Sequence, residues 1–285
     1  MKNKTKVLGL IIVILCAVII FLITRSGKVE APIISNVEPV TNGYETVGYS
    51  FKKDDVETDT TSIHITQPVV TGLPSNLINN IVNSQLDTAF GDIKKLFIAD
   101  TAGVDIFSKD MKHQLTVNGG TPLSASKKVF YVDTEINSYI SGSAHPLSQR
   151  SVYNFVKETG QLIRLEDILK RESGEGSSDT SAVATDKDFK TSLTGISNLV
   201  KPKIMEQLKK MSKTTDGTSP DVSKIFEPSG ADPKLENYGV FYVHEDRIEW
   251  VFGQYQVAPY VFGEIKISVP MNELESYLAP RSYLK

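Results

Sequence analysis

Past position 16 the chain contains no cysteine; Cys16 is the only one in 285 residues. Everything after it is therefore held without disulfides and without cysteine-ligated metal, by packing alone. Histidine is nearly as scarce. His64, His113, His145 and His244 are the whole set, and none is spaced from another or from a carboxylate as in a helical metal motif. No G-x-S-x-G nucleophile elbow occurs either. Carboxylates such as Glu245, Asp246, Glu249 and Glu264 are available, but glycosidase chemistry depends on separations that a linear chain does not show. The sequence therefore assigns no catalytic residue, no metal ligand and no cofactor, and the expectation is a protein that is not an enzyme.

Positive charge is the third shortage. The chain carries −3, and four of its positive charges, Lys2, Lys4, Lys6 and Arg25, lie in the first 25 residues. Without those four, residues 26–285 stand at −7. An acidic surface argues against nucleic acid as a partner and favours a basic one.

Long hydrophobic runs are also few, and the one present is decisive. Val7 to Thr24 are eighteen uncharged residues preceded by three lysines. At 1.5 Å per residue they span about 27 Å, close to the hydrocarbon thickness of a bilayer. Lysines on the short side hold that end in the cytoplasm. The expected topology is a cytoplasmic tail at 1–6, a transmembrane helix at 7–24 and a tether at 25–42, with the remainder extracytoplasmic at the cell membrane. A cleaved signal peptide is the rival. Its best site, Val29-Glu30-Ala31, is followed by Pro32, and Leu15 before Cys16 is too large for a lipidation site.

Beyond the tether, patterning predicts an α+β fold: two units, each with a helix packed on a mostly antiparallel sheet, at 43–140 and 141–285. Thr61 to Gln67 alternates like a half-buried strand. After Pro74, with Ser75 as N-cap, the stripe Leu77, Ile78, Ile81, Val82, Leu86, Ala89, Phe90, Ile93, Leu96 and Phe97 predicts a long amphipathic helix. Strands are expected at Gln114–Val117, Lys127–Ile140, Ser151–Val156 and Gln161–Leu165, with a turn at Gly160. Arg171 to Asp188 has little to bury and reads as a loop. A second helix runs from Phe189 to Leu208, and Pro202 inside it should kink or split it. Gly239–Val243 and Arg247–Phe252 form a hairpin through His244-Glu245-Asp246. Val261–Val269 is the last strand, before a short helix at Asn272–Leu278.

Two segments stand out. Phe252 to Glu264 packs four aromatics and two glycines between strands, with no positive charge. Tyrosines in a loop supply rigid amphipathic contact area, as recognition surfaces do. His145 lies in Ser141-Gly142-Ser143-Ala144-His145-Pro146, as a loop histidine whose ring bonds the backbone of a tight turn. A hydrolase centred on His145 is the least favoured reading.

These segments carry a resemblance. The turn around Ser143 and His145 is similar to a Gly-Gly-Ala-His turn of a bacterial extracytoplasmic domain of unknown function. Tyr153-Asn154, Thr159-Gly160 and Leu165 to Leu169 match the stretch that follows it. Gln254 to Glu264 looks like its PYEVAPYAAGE segment. The part before, including Gln67 to Gly72 and the helix after Ser75, resembles the companion domain that also precedes the catalytic domain of the peptidoglycan deacetylase PdaC. Together the pair resembles the exported region of the RsiV-like family of lysozyme-binding anti-sigma factors. Met1 to Lys6 are too short to hold a sigma factor, and Ser143 and Gln254 depart from the family motifs. The resemblance implies a membrane-anchored extracytoplasmic binding module for lysozyme or another basic, wall-active protein. Ser143, His145, Tyr255, Pro259 and Tyr260 are the ligand-binding residues it points to. A module binding cell-wall glycan is the alternative. The sequence assigns no oligomeric state.

Overall fold

A computed structural model describes residues 47–108, 111–172, 184–212 and 221–284. The expected membrane span at 7–24, the tether and most of the 171–188 loop lie outside the described residues. Among the described residues no helix is long and apolar enough to cross a membrane. The chain is a mixed α+β protein that divides into two compact units. The first takes the residues up to Leu123, Val132–Leu147 and Lys157–Leu162; the second takes Ser124–Tyr131, Ser148–Val156 and Ile163–Lys285.

In the first unit, β1 (Gly48–Glu57) and β2 (Thr61–Thr71) pair antiparallel from Gly48↔Thr71 to Glu57↔Ser62. The alternation read over Thr61–Gln67 puts Ile63, Ile65 and Gln67 inside, and the strand continues to Thr71. Helix α1 (Asn76–Thr101) begins where the Ser75 hydroxyl accepts the Ile78 N–H at 3.3 Å. Its buried side is Val82, Leu86, Ala89, Phe90, Ile93 and Phe97, whereas Leu77 and Ile81 are exposed at its start. The helix carries the chain back along the sheet, so β3 (His113–Gly119) lies parallel to β2. After the two-residue β4 (Leu123–Ser124), β5 (Val129–Tyr139) pairs antiparallel with β3. The polar side of α1 is tied down too. Asn83 accepts the Val70 N–H at 2.7 Å and donates to the Val70 carbonyl at 2.8 Å, while Lys94 pairs with Asp54 at 2.7 Å.

The second unit contains most of β6 (Leu147–Val156), then β7 (Leu162–Ile163), α2 (Leu165–Ile168), α3 (Lys190–Met211), β8 (Phe241–Val243), β9 (Arg247–Phe252), β10 (Ile265–Pro270) and α4 (Met271–Leu274). The sheet order is β10-β9-β8, all antiparallel. Helix α3 lays Leu193, Ile196, Val200, Ile204 and Leu208 into a core with Trp250, Ile267 and Val269. Three expectations are corrected here. Pro202 does not split α3, which runs unbroken from Lys190 to Met211: Pro202 and Asn198, whose carbonyl loses its partner, are both exposed, so that carbonyl is open to solvent. The strand expected over Gln161–Leu165 is cut to Leu162–Ile163, because the Asp167 carboxylate accepts the Arg164 N–H at 2.9 Å and starts α2. The last strand begins at Ile265, since Tyr260–Phe262 coil into a helical turn between Pro259 and the positive-φ Gly263.

Asn154 on β6 closes this sheet. Its amide donates to the Phe241 carbonyl at 2.8 Å and accepts the Val243 N–H at 3.0 Å, and the residue is fully buried. Phe241 and Val243 alternate with positions that bond β9, so their own polar groups point to the open edge of β8. One side chain thus supplies a rung of ladder there. Asn154→Ala strands a buried donor and a buried acceptor together. It should lower unfolding stability by about 2–4 kcal/mol, at roughly 1–3 kcal/mol per stranded group, measured by urea titration. A loss below about 1 kcal/mol would show that the edge does not depend on this rung.

Candidate functional site

The segment from Gly253 to Glu264 leaves β9, turns outward and returns into β10. Gln256 fixes its base. That side chain donates to the carbonyls of Gly230 and Asn237, both at 3.0 Å, and accepts the Gly253 N–H at 3.0 Å. The carbonyls come from a platform of short helical turns at Pro228–Ala231 and Leu235–Tyr238. The platform is itself braced, because the hydroxyls of Ser197 and Tyr238 both donate to the Ala231 carbonyl at 2.7 Å. Burial pushes the Tyr238 phenol up to about 12, so it remains a donor at any physiological pH. Gly230 is required by space: a Cβ there would lie 1.7 Å from the Gln256 carbonyl oxygen. Val257 and Ala258 are buried, and Arg150 Nε meets Glu264 at 2.9 Å at the far end of the loop.

What this clamped base presents is aromatic. Tyr255 is 51% exposed and Tyr260 39%, their ring centroids 5.5 Å apart, with Pro259 exposed and Val261 84% exposed beside them. Tyr255 sits at φ 64°, the one non-glycine residue at positive φ among the described residues. That conformation costs a side-chain-bearing residue about 1–2 kcal/mol. Strain held by an over-determined loop under an exposed ring is the kind of feature that clusters at recognition sites.

Ser143 and His145 belong to the other unit. Both are exposed in the Ser141–Pro146 turn, where His145 Nδ1 donates to the Pro146 carbonyl at 2.9 Å. The structure thus brings Tyr255, Pro259 and Tyr260 together in one unit, and Ser143 and His145 together in the other. What holds the turn is His113, which is 1% exposed. Its Nε2 donates to the Val104 carbonyl at 3.1 Å, which leaves Nδ1 to accept the Ser141 N–H at 3.0 Å. Ser141 Oγ then accepts the Phe107 N–H at 2.7 Å. Nothing in the sequence marks His113 or Phe107 for this role, because a lone histidine at a strand start carries no motif.

A second constellation also escapes the linear reading. On one face of the β1–β2 pair, Ser62 Oγ lies 3.1 Å from His64 Nε2, and His64 Nδ1 lies 3.1 Å from Asp55. Strand register produces this row, with Asp55 opposite His64 and Glu57 opposite Ser62. The order of groups is that of a hydrolase triad. The Ser62 hydroxyl, however, is also bonded to Glu57, which is held by Lys112 at 3.2 Å, and His64 and Asp55 are both about half exposed. It is a solvated cross-strand ladder.

Charge is divided unevenly between the units. From Val47 on, the first unit holds seven lysines and arginines against twelve carboxylates, or −5. The second holds nineteen of each and is neutral, and residues 26–46 supply the remaining −2. The aromatic loop therefore rises from a neutral unit.

The positive φ at Tyr255 can be tested by inverting the usual rank of alanine and glycine. Tyr255→Gly and Tyr255→Ala lose the same ring, but only alanine keeps the strain. The glycine variant should be more stable by about 1 kcal/mol in thermal or urea unfolding. The ordinary order, alanine above glycine, would show that the backbone is not strained.

His244 gives a pH prediction. Its ring lies 6.1 Å from both Tyr131 and Tyr242. Burial among them, helped by Arg247 and opposed by Glu249 and Asp246, holds its pKa below the ordinary 6.5. Above pH 6.5 both folded and unfolded chains are neutral at this site. Below it the unfolded chain takes up the proton first, so stability falls from pH 6.5 down to the depressed folded value. His244→Gln should flatten the melting temperature across that window; an unchanged slope would put the titration elsewhere.

Comparison with known proteins adds a domain and a fold. Comparison with curated sequences gives no match. A DUF3298-family crystal structure from Bacteroides fragilis NCTC 9343 superposes with a TM-score of 0.53 at 15% identity, covering 84% of this chain and 97% of that one. A DUF3298-family protein from Pseudomonas aeruginosa PAO1 gives 0.45 at 11% identity, over 82% and 94%. The first likeness shows a shared fold. Residues 184–272 match DUF3298, described as a protein of unknown function, so a DUF3298 domain is found here and it contains Tyr255, Pro259 and Tyr260.

Proposed function

We propose that this protein is a membrane-anchored extracytoplasmic binding module of the RsiV-like kind, taking lysozyme or another wall-active protein on the Tyr255, Pro259 and Tyr260 surface. The observation that carries this reading is the clamped loop: two neighbouring tyrosines are held out in water over a base that Gln256 and Gly230 make rigid. A preorganised aromatic surface loses little entropy on binding, which is how a small patch gains affinity. The hydrophobic run at Val7–Thr24 supports the anchor, and the −7 of residues 26–285 supports a basic ligand. The resemblance of Gln67 to Gly72 and of the helix after Ser75 to the companion domain of PdaC belongs to the same reading. Catalysis has no part in it.

One observation favours a second ligand. The unit carrying the loop is neutral, and paired tyrosines on a neutral surface suit the faces of sugar rings as well as a protein, so wall glycan is the alternative. Salt separates the two, because a basic protein weakens as ionic strength rises and a neutral glycan hardly responds.

The test is binding of lysozyme and of soluble peptidoglycan fragments to the full chain in non-ionic detergent, with Tyr260→Ala beside the parent. A tyrosine hot spot costs about 2 kcal/mol when truncated, or roughly thirtyfold in affinity. That loss at an unchanged melting temperature supports the contact role. Loss of both affinity and stability would make the ring structural, and a parent chain that binds neither probe would end the proposal.

A further inference from the structure

The first unit exposes large apolar side chains in two places: Leu77 and Ile81 at the start of α1, and Ile98, Val104 and Phe107 within ten residues at its end and in the loop after it, with Phe107 the most exposed of these at 79%. A phenylalanine that far in water forgoes the stabilisation its burial would bring. It is not there through slackness of the backbone. Its own N–H is fixed by the buried Ser141 hydroxyl at 2.7 Å, and the carbonyl of Val104, three residues earlier, is fixed by the buried His113 ring at 3.1 Å. The same two residues anchor the Ser141–Pro146 turn, so Ser143 and His145 are presented from a framework shared with Phe107. Asp100 and Asp105, both exposed, precede the phenylalanine in the same stretch of chain.

We infer that Phe107 is the apolar centre of a second interaction surface, on the first unit, that docks a cationic protein: a lysine- or arginine-rich surface with an apolar recess at its middle. Charge identifies the occupant. This unit holds −5, whereas the unit with the aromatic loop is neutral, so the excess acidity that would steer a basic partner lies here. The other apolar-tolerant occupants carry the wrong sign. Residues 26–46 of the same chain stand at −2, and a second copy meeting it through the same unit would bring another −5 against it. An apolar anchor on an acidic unit is complementary to a basic surface and repels the same face of a second copy. This surface binds whether or not the Tyr255–Tyr260 loop has a ligand.

The experiment uses the full chain in non-ionic detergent with three probes: lysozyme and cytochrome c, basic proteins of unrelated fold, and succinylated cytochrome c, in which lysine charge is reversed at nearly constant shape. Both basic probes should bind, more weakly as sodium chloride is raised, and the succinylated one should not. Phe107→Ser should weaken cytochrome c by about thirtyfold with the melting temperature unchanged. Asp105→Asn should weaken cytochrome c severalfold and flatten its salt dependence, which keeps the idea testable should the serine variant fold poorly. Tyr260→Ala should leave cytochrome c binding untouched, so this surface and the aromatic loop fail or succeed separately. The inference is overturned if neither basic probe binds, if the succinylated probe binds equally, or if Phe107→Ser binds like the parent. Self-association that Phe107→Ser abolishes would also overturn it, by assigning the surface to a second copy.

Discussion

The pairing of Asn154 with the backbone of Phe241 and Val243 is the constraint on which the second unit depends. A three-stranded sheet ending in a strand as short as β8 has an edge whose donors and acceptors must go somewhere. Left unsatisfied in a core, each is worth more than the contacts around it. Asn154 answers with one donor and one acceptor at the spacing a neighbouring strand would offer. With β8 settled, β9 and β10 follow in antiparallel register, and Trp250 and Ile267 reach the inner side that α3 covers. The aromatic loop is the connection between β9 and β10, so its two ends inherit their positions from this sheet.

The same device recurs. Asn83 bonds both backbone groups of Val70 from helix α1, and Gln256 bonds three backbone groups under the aromatic loop. A chain without disulfides over its globular part needs fixed joints of another kind. Side-chain amides suit, because each carries a donor and an acceptor and neither titrates. Ion pairs such as Lys210 with Glu206 lie on exposed surface, where pairing contributes little. The joints that position the two candidate surfaces are instead buried or half-buried amides and hydroxyls, joined under the Phe107 surface by the ring of His113.

Residues whose meaning lies in periodicity are legible. Ser75 as a cap, the Leu77–Phe97 helix stripe and the His244–Asp246 hairpin loop are local, and each forms as the sequence implies, except that the stripe buries only from Val82 on and leaves Leu77 and Ile81 exposed. The departures have local causes as well. A proline inside a helical pattern predicts a break, because the exposure of Asn198, which opens its orphaned carbonyl to solvent at Pro202, is invisible in a sequence. Val261 and its apolar neighbours predict strand, whereas Pro259 and Gly263 impose a coil. What stays illegible is whatever depends on partners far along the chain. Gln256 looks like any loop glutamine until Gly230 and Asn237 arrive beneath it, and Asn83, one of the polar positions between the apolar ones of α1, turns out to grip Val70.

The charge division changes how the two surfaces should be understood. A single figure of −7 attaches electrostatic attraction to residues 26–285 as a whole, and so to whichever loop looks most like a binding site. Resolved by unit, attraction and aromatic contact separate. The Tyr255–Tyr260 loop is neutral in setting, strained at its apex and rigid at its base, a combination that favours specificity through shape. The Phe107 surface is acidic in setting, a combination that favours fast capture of a basic partner over close fit. Raising salt therefore slows capture at the acidic surface, whereas at the aromatic loop it weakens a basic protein and leaves a neutral glycan nearly unchanged, because screening reaches charge and not the stacking of rings.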